Sequence, residues 1–291
     1  MKMETTKVGF IGTGVMGKSM AQHLLNKYKN LYVFTRTKEK ARDLIGQGAK
    51  WSPSPAELAS SVDILFTIVG YPQDVEEIYF GEKGILENGK KGLIAVDMTT
   101  SKPSLAREIY MKASHLDIHT LDAPVSGGDT GAKNGTLSIM VGGEADIFEK
   151  ALPFMETFGD NIRRQGEAGA GQHTKMANQI AIASNMIGVC EALVYAKRAG
   201  LDVEQVLKSI AGGAAGSWSL SNLAPRMVSE NYEPGFFVKH FIKDMGIALE
   251  EGERMALSLP GLSLAKEMYD ELKSMGAEND GTQALIKLWK E

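Results

Sequence analysis

Cysteine is almost absent from this chain: Cys190 is the only one in 291 residues. A lone thiol excludes an internal disulfide framework and fits a reducing compartment. Excess positive charge is missing too. The 32 Lys and Arg against 36 Asp and Glu leave a formal net charge of -4, whereas general nucleic-acid binding needs clustered cations to neutralise phosphates. The most apolar stretch, IAIASNMIGVCEALV (180–194), is short for a membrane span and carries Ser184, Asn185 and Glu191. No signal-peptide pattern opens the chain, because Glu4 interrupts the basic start and a glycine-rich turn follows at once. His23, His115 and His119 lack cysteine or carboxylate partners at ligand spacing, so no metal site is expected. Repeats, low-complexity tracts and long charge runs are absent. These absences lead to the expectation of a soluble cytoplasmic protein with neither a nucleic-acid nor a membrane partner. The balance of 43% hydrophobic and 23% charged residues excludes a disordered chain, and the length suggests two domains.

What is abundant is glycine, with 32 residues, and its placement is informative. Short apolar runs at KVGFI (7–11), LYVFT (31–35), DILFTIV (63–69), LIAVD (93–97), HTLDAPV (119–125) and LSIMVGG (137–143) read as strands. DILFTIV does not alternate, as expected of a strand covered on both faces. Helical patterns separate the runs: Met16, Met20 and Leu24 form a stripe, Gly48 follows KEKARDLIGQG as a C-terminal cap, and Ser54-Pro55-Ala56-Glu57 has capping-box spacing. The alternation predicts an α/β domain with a doubly wound parallel sheet over residues 1–165. Residues 166–291 read as all-helical. They open with one long helix from about Gln172 to Ala199, ended by Gly200 and apolar on most faces, and therefore expected to be buried. Four or five further helices follow, with breaks near 212–217, 232–235 and 259–262.

Gly12-x-Gly14-x-x-Gly17 lies between the first strand and its helix. The first glycine permits the tight turn, the second lets a pyrophosphate approach the backbone, and the third lets helix and strand pack closely. With Thr13, Val15 and Met16 it forms a turn whose helix N-terminus offers N–H groups to phosphates. An NAD site usually carries Asp or Glu at the end of the second strand. This chain has Thr35-Arg36-Thr37, and an arginine suits the 2′-phosphate of NADP, with NAD still possible.

DAPVSGG (122–128) puts a polar, glycine-rich turn at the C-terminal edge of the sheet, where Ser126 and the N–H groups of Gly127 and Gly128 could hold a carboxylate. Lys175 falls in the first turns of the long helix, with Asn178 three residues on. Burial and the positive helix end both disfavour a charged lysine there, which suits proton exchange near neutrality. A lysine snorkelling from a helix end is the plainer reading of the same residue. His173, two positions away, points elsewhere. Cys190, among apolar neighbours, reads as core, and His240 with Lys243 as a shared helix face compatible with the surface.

In order along the chain, GFIGTGVMG, DAPVSGGDTGAKNGTL, GAGQHTKMANQ and FIKDMGIAL resemble the motifs of the β-hydroxyacid dehydrogenase family over essentially the whole length. The resemblance implies a Rossmann-type domain and a helical domain joined by a long shared helix, commonly in a homo-oligomer. It implies an NAD(P)-dependent oxidoreductase acting on a short 3-hydroxyacid or its semialdehyde. By the same resemblance Lys175 is the catalytic acid/base, Asn178 orients the substrate, and Ser126, Gly127 and Gly128 bind its carboxylate. Thr100 lies near the nicotinamide ribose, Val69 belongs to the cofactor site, and Lys243, beside Asp244, closes over the cofactor. Gln179 stands where many relatives have a second asparagine. Trp218, Ser219, Phe236 and Phe237 are candidate walls of the substrate pocket. An imine reductase and a non-catalytic dinucleotide sensor on the same scaffold remain the alternatives.

Overall fold

The computed structural model describes residues 5–289. Cα packing divides them into two compact units between Lys175 and Met176. That division falls inside the long helix, because the first turn and a half of the helix packs with the sheet.

The first unit contains nine strands: β1 (Val8–Ile11), β2 (Leu31–Phe34), β3 (Lys50–Trp51), β4 (Ile64–Thr67), β5 (Ile94–Asp97), β6 (His119–Asp122), β7 (Val125–Ser126), β8 (Leu137–Gly142) and β9 (Gly159–Gly166). Strands β3-β2-β1-β4-β5-β6 are parallel in that order, the doubly wound arrangement. β6 and β7 pair antiparallel with β8, and β9 runs parallel to β8. Side chains alternate across the sheet, so Val8, Phe10, Ile64 and Phe66 enter one core while Ile11, Leu65 and Ala95 enter another. Both faces of β4 are covered, as its unbroken apolar run requires.

Two strands carry no apolar signal. β9, with sequence GDNIRRQG, is mostly exposed or half-buried, and charged side chains hide its β character. β3 is only two residues long. The segment after β2 folds as a 3-10 turn, Lys38–Ala41, followed by the short helix Arg42–Gly46, and Gly48 turns left-handed at φ 108°. Ser54 caps the helix Pro55–Ser61 by accepting the N–H of Glu57 at 3.2 Å.

The long helix runs from Ala170 to Arg198, and Gly200 follows at φ 74°. In length and composition it could cross a membrane, with a mean hydropathy of 1.4 over its most apolar window. This corrects the reading of its apolar stretch as too short. The expectation of burial on most faces also needs correction. One stripe (Met176, Ala183, Met186, Cys190, Leu193) builds the second unit's core, while Ala177, Ala181, Gly188 and Tyr195 are exposed. Around the buried stripe the second unit adds helices Val203–Ile210, Trp218–Asn222, Ala224–Val228, Val238–Arg254 and Pro260–Ser274, and the 3-10 helix Thr282–Trp289.

Candidate functional site

The glycine turn at the end of β1 separates folding requirements from ligand requirements. Gly12 has φ 95°, and a Cβ there would strike the carbonyl oxygen of Ile68. A Cβ on Gly17 would strike the carbonyl oxygen of Gly12. Both positions therefore need glycine for the turn itself. Gly14 does not: its φ is -74° and an added Cβ would meet nothing within 4 Å. The open space at the N-terminus of helix Val15–Tyr28 is what a diphosphate requires. Beside it the Thr13 hydroxyl is buried and lacks a hydrogen-bond partner among the described residues. These features fit a bound dinucleotide.

At the end of β2, Thr35 is buried while Arg36 and Thr37 are exposed. Arg36 does not stand alone in solvent. Its Nη2 lies 3.1 Å from Oδ1 of Asp74, in the first turn of helix Pro72–Phe80. No adjacent-strand pattern announces this pair.

The ends of β4 and β5 are tied together. Asp97 accepts the hydroxyl of Thr67 at 2.9 Å and the N–H of Thr99 at 3.1 Å. The Thr99 hydroxyl in turn accepts the N–H of Val69 at 3.0 Å. Val69 and Thr100, both half-buried, flank this junction. Asp97 and Thr99 have no motif of their own, and sequence reasoning missed them.

The DAPVSGG segment is not a plain turn. Val125 and Ser126 form β7, with Ser126 opposite Ser138. Gly127 (φ 131°) and Gly128 (φ 63°) then enter helix Gly128–Asn134 through backbone that side chains rarely adopt.

Lys175 is 6% exposed, within the helix that begins at Ala170. His173 is held apart from it: its Nε2 lies 2.8 Å from Nη2 of Arg107. Cys190 is buried, and burial, with Glu191 nearby, pushes its thiol up to about 12, which rules out an activated nucleophile.

In the second unit, Asn178 Nδ2 donates to Gln179 Oε1 at 2.7 Å, and Gln179 Nε2 donates to Asp244 Oδ2 at 2.7 Å. A carboxylate only accepts, so it dictates which end of Gln179 faces it and hence which end of Asn178 faces Gln179. Lys243 Nζ lies 2.9 Å from Asp244 Oδ1, with the lysine side chain 12% exposed, so Lys243 is not a surface cation. Of the candidate pocket walls, Ser219 is buried and Trp218 exposed. Phe236 packs edge-on to Phe241, and Phe237 to His240.

A doubly wound sheet with an open glycine turn at its carboxyl edge defines a dinucleotide-binding domain. Comparison with known proteins agrees. The family model for the NAD binding domain of 6-phosphogluconate dehydrogenase matches residues 7–166, and the one described as NAD-binding of NADP-dependent 3-hydroxyisobutyrate dehydrogenase matches 169–289. An uncharacterised oxidoreductase of Bacillus subtilis is 61% identical over 97% of this chain and 98% of its own. A probable mitochondrial 3-hydroxyisobutyrate dehydrogenase-like protein of Arabidopsis thaliana is 49% identical, covering 97% and 84%. The structure of Psf3 in complex with NADP+ and 2-OPP superposes with a TM-score of 0.89 at 27% identity, covering 97% of this chain and all of that one. The chain belongs to the β-hydroxyacid dehydrogenase family and is an NAD(P)-dependent hydroxyacid dehydrogenase.

Proposed function

We propose that the chain prefers NADPH and reduces a short aldehyde-acid to its 3-hydroxyacid, with Lys175 as the general acid. The observation that carries this reading is a lysine buried in the first turns of a helix whose start is bonded to the end of β6 and to Thr99 just after β5. Substrate binding follows from the loop: Ser126 and the N–H groups of Gly127 and Gly128 would hold the carboxylate, and Asn178 would orient the reacting oxygen. Lys175 then delivers a proton to that oxygen as the carbonyl is reduced, and recovers one from water.

The turn Gly12–Met16 would hold the cofactor's diphosphate, Arg36 and Thr37 its 2′-phosphate, and Val69 and Thr100 its nicotinamide half. Lys243 is assigned to the cofactor by the family resemblance alone. When bound, the nicotinamide supplies the hydride. The lack of a carboxylate at the end of β2 supports NADPH. A 2′-phosphate must compete with Asp74 for Arg36, but Arg36 is the exposed member of the pair and a near-dianion attracts it more strongly than a single carboxylate. The reading includes a homo-oligomer that covers the exposed face of the long helix, Ala177, Ala181, Gly188 and Tyr195. A single mass near 31.5 kDa by light scattering at micromolar concentration would overturn that part.

The test of function is consumption of NADPH and NADH against a panel of C2–C4 aldehyde-acids, with 6-phosphogluconate tried in the oxidative direction. NADPH oxidation with at least one aldehyde-acid is the expected outcome. Tight cofactor binding with no turnover on any of them would favour a dinucleotide sensor instead.

A further inference from the structure

The first turn of the long helix is capped from a distance. Asp122, the last residue of β6, accepts the N–H of Gly169 on Oδ1 at 2.7 Å and the N–H of Gln172 on Oδ2 at 2.9 Å. Gln172 uses its own side chain in turn. Nε2 donates to the carbonyl oxygen of Thr99 at 2.8 Å, and Oε1 accepts the N–H of Ser101 at 2.9 Å. Both side chains are buried. Gln172 thereby grips the chain on either side of Thr100 and joins that segment to the helix of Lys175.

Glycine makes the close fit possible. A Cβ at Gly171 would lie 2.5 Å from the carbonyl oxygen of Asp122, and one at Gly142 would lie 2.8 Å from the nitrogen of Gly171. Gly169, at φ 91°, has no side chain with which to cap the helix locally. A Ser or Asp side chain at the cap position would accept the N–H of residue 172 alone, leave the N–H of residue 169 without that acceptor, and leave the helix start untied. A carboxylate supplied by β6 satisfies them and fixes the helix start to the sheet edge.

We propose that Asp122 and Gln172 are positioning residues: they set where the amino group of Lys175 stands relative to the Thr99–Ser101 segment. The proposal rests on the reading of Lys175 as the general acid. It extends the acid/base machinery to two residues outside the set proposed above to hold substrate and cofactor. Displacing a catalytic group by about 1 Å can cost a hundredfold in rate, so these bonds act on turnover more than on affinity. Asp122 bears on the helix alone, whereas Gln172 bears on both the helix and Thr100.

The test is a double-mutant cycle on the full-length enzyme. Asp122→Asn keeps the side-chain volume but turns an amide NH2 toward one of the two backbone N–H groups. It should lower kcat about tenfold or more and leave the NADPH dissociation constant within about twofold of the parent. In a Lys175→Ala background the same change should cost almost nothing, because no positioned amine remains to be lost. Equal losses in both backgrounds would show a general effect on the fold and overturn the proposal, as would a parental kcat in Asp122→Asn. Gln172→Met provides the second variant, should Asp122→Asn fail to fold. It should lower kcat by a similar factor, again only while Lys175 is present, and also weaken NADPH binding. Parental turnover in Lys175→Ala alone would sink the general-acid reading, whatever the cycle shows. An additive cycle would sink only the positioning role.

Discussion

Asp97 and Asp122 stand directly opposite each other at the carboxyl ends of the neighbouring parallel strands β5 and β6, and both are buried. Burial raises the Asp122 carboxyl to about 7. The N–H groups of Gly169 and Gln172 work against that rise, and Asp97 adds to it. In the unfolded chain the same group titrates near 4. Between those values the folded protein holds a proton that the unfolded chain has released, so this residue's contribution to stability falls as pH rises from about 4 to about 7 and is constant above. Asp122→Asn cannot titrate. Thermal melts of parent and variant should therefore show the parent losing ground to the variant from pH 5 to pH 7. A Tm difference that does not change with pH would contradict the assignment.

Lys175→Ala should leave NADPH binding intact, since the glycine turn and Arg36 are untouched. Turnover should fall by roughly 10²–10⁴, the range for losing a general acid or base. Lys175→Arg should not restore it, because a guanidinium does not give up its proton. Steady-state kinetics on the best aldehyde-acid, with fluorescence titration of NADPH alongside, separates the two quantities.

The Arg36–Asp74 pair allows the proposed cofactor choice to be tested in both directions. Arg36→Asp should erase or reverse the preference for NADPH, at a cost of about 1.5–3 kcal/mol for a lost charge-assisted phosphate contact. Asp74→Asn releases Arg36 from its carboxylate partner and should strengthen the preference a few-fold. Dissociation constants for NADPH and NADH across the three proteins decide the matter. Equal values for both cofactors in the parent would remove the role given to Arg36.

Gly12 and Gly14 should respond differently to alanine. Gly12→Ala forces a Cβ into the carbonyl of Ile68 at positive φ and should lower the Tm sharply. Gly14→Ala meets open space at ordinary φ, so the Tm should hold while NADPH affinity falls, because the new methyl occupies the approach to the helix N-terminus. Parental NADPH affinity in Gly14→Ala would mean that the diphosphate lies elsewhere.

Short-range patterns were legible without the fold. The glycine turn, the unbroken apolar run of β4, the Ser54 cap and the long helix ending before Gly200 all arise from residues within a few positions of one another. Lys175, Asn178 and the Ser126–Gly128 loop were singled out as candidates by motif. Other features had no such signature. β9 carries charges where a buried strand would carry valine, because only one of its edges is paired. The long helix is apolar nearly all round, yet only packing shows which stripe forms the core. Asp122 reaches its two N–H donors across 47 and 50 residues of chain. The pairs Arg36–Asp74 and Gln179–Asp244 likewise join separate elements. Local sequence determines backbone conformation through sterics and capping, which act over one or two turns. Which buried carboxylate meets which donor is decided only when strands and helices assemble, because a hydrogen bond between distant segments leaves no periodicity in either one.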